Sequence, residues 1–464
     1  MSTLYAPTPP DTQKLHLRIM DEHVDIDRWT SYSLGSNYLT PADGWSFTVG
    51  DGDLEERQRR ALRLGATVRL YVENFPLGEG YIDRIEIDAD RGKGTVYSIH
   101  GRDRLGPVVD SVADPRVQFK SGTTLLEFLK TLLAPYGWSD DEHFTLDPSV
   151  NRDARTGGVR GTPLPKRKSK TGKLSSFQIY QLKPHNNEDL FRFIQRTVER
   201  FGFFVRVSAD GDRIIVAAPD FTQEPRYRLV RKQGETNILG GSVVFDATDQ
   251  PSVIIADGFS GGGEFGRGKI KAYCVNPYFG VDENGFISDY VSAELLKYPE
   301  AQPILFVTQP YEQRTPRMPP RPVFLHDEES KTQEQLNWFV KRTMSELLRK
   351  SLVCHYKVEG LGQTVDGVFT PWDVDTVVEV EDEVAGVSER MYVLGRNFEM
   401  SRQGGVTTTL ELVRLYSIAT PDPPAPKAGR VNNTKKNPKP HLDQDELDAL
   451  HRDWQPQLGS WVID

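Results

Sequence analysis

The sequence predicts a mainly β chain with α/β insertions: two related β-barrel domains plus smaller α/β and irregular domains. Three observations predict it. The 464 residues include 39 Gly and 31 Pro, so turns are frequent and short strands should outnumber long helices. Apolar and polar residues alternate over much of the chain, and only a few segments switch to the helical period. A strand–turn–strand pattern near Tyr81 also returns near Tyr392.

The elements follow in order. Leu15, Leu17 and Ile19 alternate with polar neighbours, as do Val24 and Ile26, then Val68, Leu70 and Val72, then Tyr81, Ile85 and Ile87 around a one-residue interruption. This predicts a first β-barrel over 1–110. Leu125, Leu126, Phe128, Leu129, Leu132 and Leu133 then form a helical stripe within 121–137, with Ser121 or Thr123 as N-cap. A second helix over about 187–201 carries Leu190, Phe191, Ile194 and Val198. A hairpin turning at Ala209-Asp210-Gly211-Asp212 follows it. Residues 111–224 therefore read as an α/β domain. The second barrel is assigned to 225–257 and 330–418, with a helix at 332–353 whose stripe includes Leu336, Val340, Met344 and Leu348. The Gly- and Pro-rich 258–329 reads as an inserted irregular domain.

The echo joins the two barrels. Tyr81-Ile82 and Arg84-Ile85-Glu86-Ile87 resemble Tyr392-Val393 and Arg396-Asn397-Phe398-Glu399-Met400, at separations of 311 to 313 residues. Each copy follows a Thr-Val strand (Thr67-Val68, Thr376-Val377) and precedes a Gly turn at Gly92 or Gly404. Two related units some 300 residues apart are implied.

Composition excludes several classes. With 57 basic and 66 acidic residues the net charge is −9, a poor field for general nucleic-acid or anionic-membrane binding. No apolar run approaches the ~18 residues that span a bilayer, and no membrane insertion is expected. MSTLYAPTPPD lacks the basic and apolar regions of a signal peptide, which predicts a soluble chain made in the cytosol. Two cysteines, Cys274 and Cys354, suit a reducing compartment and cannot build a Cys-rich zinc site.

Motif matches do not survive their context. Gly258-Phe259-Ser260-Gly261-Gly262 matches the nucleophile elbow G-x-S-x-G, but Gly263-Glu264-Phe265-Gly266 cannot readily start the helix that motif requires. The same lack of a helix disposes of Gly261, Gly263 and Gly266 as a dinucleotide fingerprint. The nine histidines show no metal-ligand spacing; His100 and His355 read as core or rim residues. No catalytic residue, cofactor or metal site is nominated, and no enzyme is expected.

Two segments are candidates for binding partners. Residues 151–173 hold eight basic residues against Asp153 alone, among them Lys166, Arg167, Lys168 and Lys170. This segment is either a solvated connection or a dock for an acidic partner or nucleic acid, though it has no aromatic for base stacking. The region 419–464 has six prolines in 421–440, then a short amphipathic helix over 442–454 with Leu447, Leu450 and Trp454 in its stripe. An apolar patch at Trp461-Val462-Ile463 ends it. It reads as a linker and anchor helix, with a frayed terminus as the alternative.

The order of parts carries a family resemblance. Gly101-Arg102-Asp103-Arg104-Leu105-Gly106-Pro107-Val108-Val109-Asp110-Ser111 closes the first strand-rich part. Gly122-Thr123-Thr124-Leu125-Leu126 opens a helix, and Phe201-Gly202-Phe203-Phe204 with Asp210-Gly211-Asp212 marks the second α/β piece. Val393-Leu394-Gly395-Arg396-Asn397-Phe398 and Gly404-Gly405-Val406-Thr407-Thr408-Thr409-Leu410-Glu411-Leu412 come near the end. Over about 14–416 this resembles the baseplate hub family of contractile phage tails, the late-control D and bacteriophage Mu hub type. The resemblance implies a structural homotrimer whose six barrels join the sixfold tail tube to the threefold central spike. It implies as partners the tail tube protein, a separate spike protein and other baseplate proteins, with DNA only passing through the ring. It also implies a place in the virion baseplate, and in host cytoplasm during assembly. The competing readings are a tail-associated cell-wall hydrolase, a serine hydrolase using Ser260, and a carbohydrate-binding β protein. The last fits poorly with seven scattered tryptophans.

Overall fold

The structure, a computed structural model, describes residues 5–7, 14–92, 94–119, 123–146, 182–199, 202–259, 269–281, 287–304, 321–327, 330 and 333–419. These fall into two compact units. The first holds the described residues up to Asp246 and from Arg349 onward; the second is Ala247–Leu348.

The first unit begins with β1 (Tyr5–Pro7), β2 (Leu15–Ile19), β3 (Val24–Ile26), β4 (Ser31–Asn37) and β5 (Gly44–Gly50). Helix α1 (Glu56–Ala61) leads to β6 (Thr67–Val72), β7 (Phe75–Asp90) and β8 (Gly94–Asp103). The alternation read from the sequence is realised here: Leu15, Leu17, Ile19, Val24, Ile26, Val68, Leu70 and Val72 all bury on one core.

Next comes an α/β lobe of α2 (Gly106–Val109), α3 (Leu125–Leu133), β9 (Phe144–Leu146), α4 (Leu190–Glu199), β10 (Phe204–Val207) and β11 (Ile214–Ala217). Helix α3 starts on Thr124 rather than Ser121 or Thr123. Thr124 Oγ1 accepts from Glu127 N at 3.1 Å, and Glu127 Oε2 accepts from Thr124 N at 2.9 Å, a reciprocal capping box. The apolar faces of α3 and α4 close over the sheet around Phe119, Phe128 and Phe193.

The chain then returns to the main sheet with β12 (Tyr227–Lys232), β13 (Glu235–Thr236) and β14 (Ile238–Phe245). The second unit follows: β15 (Val253–Phe259), β16 (Lys269–Val275), α5 (Asp289–Leu295), β17 (Gln302–Ile304), β18 (Pro322–Asp327) and α6 (Gln333–Ser351). Its sheet runs β17-β16-β15-β18. Leu336, Val340, Met344 and Leu348 of α6 pack on Ile254, Ala256, Ala272 and Cys274 of β15 and β16. The sequence reading placed 253–257 and the helix at 332–353 in the second barrel and left 258–329 irregular. The structure moves both segments into the insertion and gives it a sheet. Helical period shows that α6 has an apolar face, but not which strands cover it.

The first unit is completed by β19 (Leu352–Glu359), β20 (Gly362–Val365), β21 (Val368–Pro371), β22 (Thr376–Asp382), β23 (Val387–Ser401) and β24 (Gly405–Arg414). Its main sheet has 14 strands in the path β13-β12-β22-β23-β4-β5-β8-β7-β6-β2-β3, with β24, β19 and β14 leading off β23.

Within that sheet the strand order β4-β5-β8-β7-β6 recurs as β14-β19-β24-β23-β22, every pair antiparallel. The recurrence extends to single residues. All ten pairs of β7 with β8, from Gly80↔Asp103 to Asp90↔Gly94, recur between β23 and β24, from Met391↔Arg414 to Ser401↔Gly405, at a constant separation of 311. The bulges coincide, skipping Asp83 in one copy and Leu394 in the other. Both hairpins turn on a left-handed glycine, Gly94 (φ 79°) and Gly405 (φ 65°). Strands β4 and β5 map onto β14 and β19 at separations of 209 and 309. The difference between those separations is the second unit, inserted where the first repeat has only the short turn from Asn37 to Gly44. The recurrence stops at the next strand, since β2 is antiparallel to β6 whereas β12 is parallel to β22. The protein is thus mainly β with α/β insertions, and the ladder runs on from one repeat into the other at β4 and β23. No hydrogen-bonded pair closes either repeat into a barrel among the described residues. No described helix is long and apolar enough to cross a membrane.

Candidate functional site

The joint between the repeats is made by β4 and β23, paired from Asn37↔Gly395 to Tyr32↔Met400. On one face Phe398, 0% exposed, sits opposite Leu34 in the shared core. On the other face Ser33 Oγ donates to Asn397 Oδ1 (3.1 Å) and Asn37 Nδ2 donates to Glu411 Oε2 (3.0 Å). Polar pairs at a seam fix register, because a slip by one residue would exchange the two faces.

At one end of this joint lie two carboxylates and a buried arginine. Asp103 N donates to Asp43 O (2.9 Å) and Asp43 N to Asp103 Oδ2 (3.2 Å), while Leu105 N donates to Asp103 Oδ1 (2.9 Å). Enclosure by protein raises the carboxyl pKa of Asp43; the same desolvation, followed by the charge of Asp43, pushes Asp103 up to about 8. Arg396 is 6% exposed, with Nε 3.9 Å from Asp373 Oδ1 and its guanidinium carbon 4.5 Å from the centre of the Phe398 ring. Its Nε and Nη1 have no hydrogen-bond partner among the described residues. A cavity of about 40 Å³ is lined by Ser36, Asp43, Glu79, Asp103, Ser208 and Arg396 among others. That is room for a water with polar partners, far below the ~300 Å³ of a small-molecule pocket. The group has room for a water beside a protonated carboxyl.

Unfolded, Asp103 titrates near 3.9; folded, near 8. Between those values the folded state binds more protons, so the contribution of Asp103 is full below about pH 4 and is lost as pH rises through about 8. Asp103→Asn is expected to shrink the difference between urea midpoints at pH 5 and pH 8. An unchanged difference would place the titration elsewhere.

A second cluster fastens the α/β lobe to the sheet. Glu79, 8% exposed, accepts from Arg69 Nε (3.0 Å) and Nη2 (2.5 Å), and lies 3.5 Å from Arg104 Nη1. The same arginines reach the β10–β11 turn: Arg69 Nη2 donates to Asp210 O and Arg104 Nη1 to Gly211 O, each at 2.8 Å. Gly211 has φ 76°, and a Cβ there would come within 2.7 Å of Glu79 Cβ. Gly211→Ala is therefore expected to cost about 1–3 kcal/mol in chemical denaturation.

Lys166, Arg167, Lys168, Lys170, Leu447, Leu450, Trp454, Trp461 and Ser260 lie outside the described residues. His100 lies in β8 and the exposed His355 in β19. Among the described residues no group of three His, Cys, Asp or Glu is placed to hold a metal ion. Both cysteines are buried, and desolvation pushes each thiol up to about 12, out of the reactive range. Sequence reasoning missed Asp43, Asp103 and Arg396. The adjacent Gly101-Arg102-Asp103-Arg104 run and the echoed Arg396 were signals, but nothing in one sequence brings residues 43, 103 and 396 together.

No protein-family model matches the sequence, and no curated protein matches it. Solved structures do. The chain is similar to the crystal structure of the tail protein from Neisseria meningitidis MC58, with TM-score 0.62 and 19% identity over 88% of this chain and 98% of that one. It is also similar to the prophage MuSo2 43 kDa tail protein from Shewanella oneidensis, with TM-score 0.59 and 15% identity over 88% of this chain and 100% of that one. The fold of this chain is the fold of these two tail proteins.

Proposed function

We propose that the chain is a structural baseplate hub of a contractile phage tail: a homotrimeric, non-enzymatic adaptor between the sixfold tail tube and the threefold central spike. The observation that supports it is the internal repeat, matched pair by pair, inside a chain whose fold matches two tail proteins along nearly their whole length. Two quasi-equivalent sheets per chain supply six positions from three copies, which is what a threefold-to-sixfold adaptor requires. Its partners are further copies of itself, the tube protein, a separate spike protein and neighbouring baseplate proteins; its place is the virion baseplate, reached from the host cytoplasm. The mass of the full chain, alone and mixed with its spike, tests this reading. Three copies per spike trimer are expected, and six copies per tail would overturn it.

In the same reading the C-terminal region is a tethered anchor. Leu447, Leu450, Trp454 and Trp461 bury on a neighbouring baseplate protein, and Lys166, Arg167, Lys168 and Lys170 meet an acidic surface. Deleting 441–464 is expected to block baseplate assembly while leaving the thermal unfolding of the remaining chain unchanged. Normal infectivity after the deletion rules the anchor out.

A further inference from the structure

We propose that the free edges of β7 and β14 pair with each other between two copies of this chain, in the register that joins β23 to β4 within one copy. The main sheet then continues from subunit to subunit. This deepens the hub reading and rests on it for the number of copies, though not for which strands meet.

Strand β23 uses one edge twice, for β22 along its first half and for β4 along Gly395–Met400, while its other edge takes β24. Its counterpart β7 pairs with β6 along its first half and with β8 on the far edge. From Arg84 to Ala89, the counterparts of Gly395 to Met400, the near edge has no strand partner among the described residues. Likewise β4 pairs with β5 on one edge and β23 on the other. Its counterpart β14 pairs with β19 alone among the described residues. Each copy thus makes the joint once internally and, among the described residues, keeps its two halves unmated at the ends of the repeat. Unmated edges are templates for a further strand.

The residues at those edges fit the joint. Carrying the β4–β23 register over at the separations of 209 and 311 sets Ile87 opposite Val243, Ile85 opposite Phe245 and Arg84 opposite Asp246. Ile87 occupies the place of Phe398, which is 0% exposed in the internal joint, yet Ile87 is 59% exposed and Phe245 51%. Ile85 and Val243 on this face are half-buried against their own core, while Ile87 and Phe245 are left exposed at the free edges. On the other face Ser242 and Glu86 occupy the places of Ser33 and Asn397, which are hydrogen-bonded in the internal joint; a hydroxyl donor again faces an oxygen acceptor. Arg84, which is paired with Glu86 on its own strand, comes opposite Asp246 in this register, so opposite charges face each other across the contact. Because the two halves differ, the contact is head-to-tail, and only a closed ring leaves no edge over.

The test uses the full chain. Ile87→Cys with Val243→Cys places two thiols on the same face, whereas Ile87→Cys with Val244→Cys puts them on opposite faces; the native Cys274 and Cys354 are buried. Under mild oxidation of concentrated protein, the first pair is expected to give disulfide-linked multimers at roughly tenfold the yield of the second. A companion single variant, Ile87→Lys, is expected to lower the multimer mass while leaving the unfolding midpoint unchanged. Equal yields from both pairs, or no multimers from the first, overturn the pairing. If the unmodified chain nevertheless forms trimers on its spike, the hub reading stands and the interface lies elsewhere. A chain that stays monomeric with its spike overturns both.

Discussion

Phe398→Ala is expected to lower the unfolding free energy by about 3–5 kcal/mol, the usual cost of removing a buried phenylalanine from a core that cannot collapse around the space. The magnitude rests on three features. Phe398 is fully buried, it faces Leu34 across the joint, and its ring lies beneath the Arg396 guanidinium at 4.5 Å. Truncation removes apolar contacts of both repeats and the ring that covers an arginine two of whose nitrogens lack hydrogen bonds among the described residues. The equivalent Ile87→Ala is expected to change the stability of the isolated chain by no more than about 0.5 kcal/mol, since its side chain is mostly in water. Urea denaturation of the two variants side by side checks the contrast. Equal losses would mean that the β4–β23 joint is not packed as a core, and the parallel between the inner joint and the outer edges would lapse.

That contrast also marks how far the sequence could be read. The strands of the first repeat were legible because one face is buried and the other wet, so Leu15, Leu17 and Ile19 announce themselves. Helix α3 was legible for the same reason, down to the approximate cap. The echo was visible because equivalent strands keep similar alternation. Its register was not, since pairing Glu86 with Glu399 gives 313 while the bulge and hairpin fix 311 throughout. Alternation has period two, so shifts of two residues look alike until a turn pins them. The inserted sheet was hidden by its context. Lys269–Val275 alternates correctly, with Ala272 and Cys274 buried, but it stands between Gly- and Pro-rich stretches, and one of its two partner strands, Gln302–Ile304, lies some 30 residues away. The Asp43–Asp103–Arg396 group was least legible of all. In a chain with 66 carboxylates no acid stands out until folding brings it to a buried arginine.

A buried acid at the far end of the second repeat carries the other large effect: Asp382→Ala is expected to cost about 3–5 kcal/mol, the penalty for leaving the partner of a buried ion pair uncompensated. The Asp382 side chain is 0% exposed. Its oxygens accept from Arg231 Nε (2.8 Å) and Nη2 (2.5 Å), from the Tyr356 hydroxyl (2.8 Å), and from the amides of Val384 (3.0 Å) and Ala385 (3.2 Å). One carboxylate thereby ties β12, β19 and the β22–β23 turn together, and alanine would strand five donors at once. Burial alone would raise its pKa. The Arg231 hydrogen bonds, the Tyr356 hydroxyl and the Ala385 amide outweigh that and hold it below the usual carboxylate value. The sign is therefore opposite to that of Asp103: the contribution of Asp382 is complete above about pH 4, the unfolded value, and fades as pH falls through the lower folded one. Asp382→Asn, which keeps the shape but loses the charge and one acceptor, is expected to lower the midpoint at pH 7 and to flatten the acid side of the stability curve. A variant as stable as the parent at pH 7, or one that loses stability on acidification as steeply as the parent, would show that Arg231 and Tyr356 draw nothing from this carboxylate.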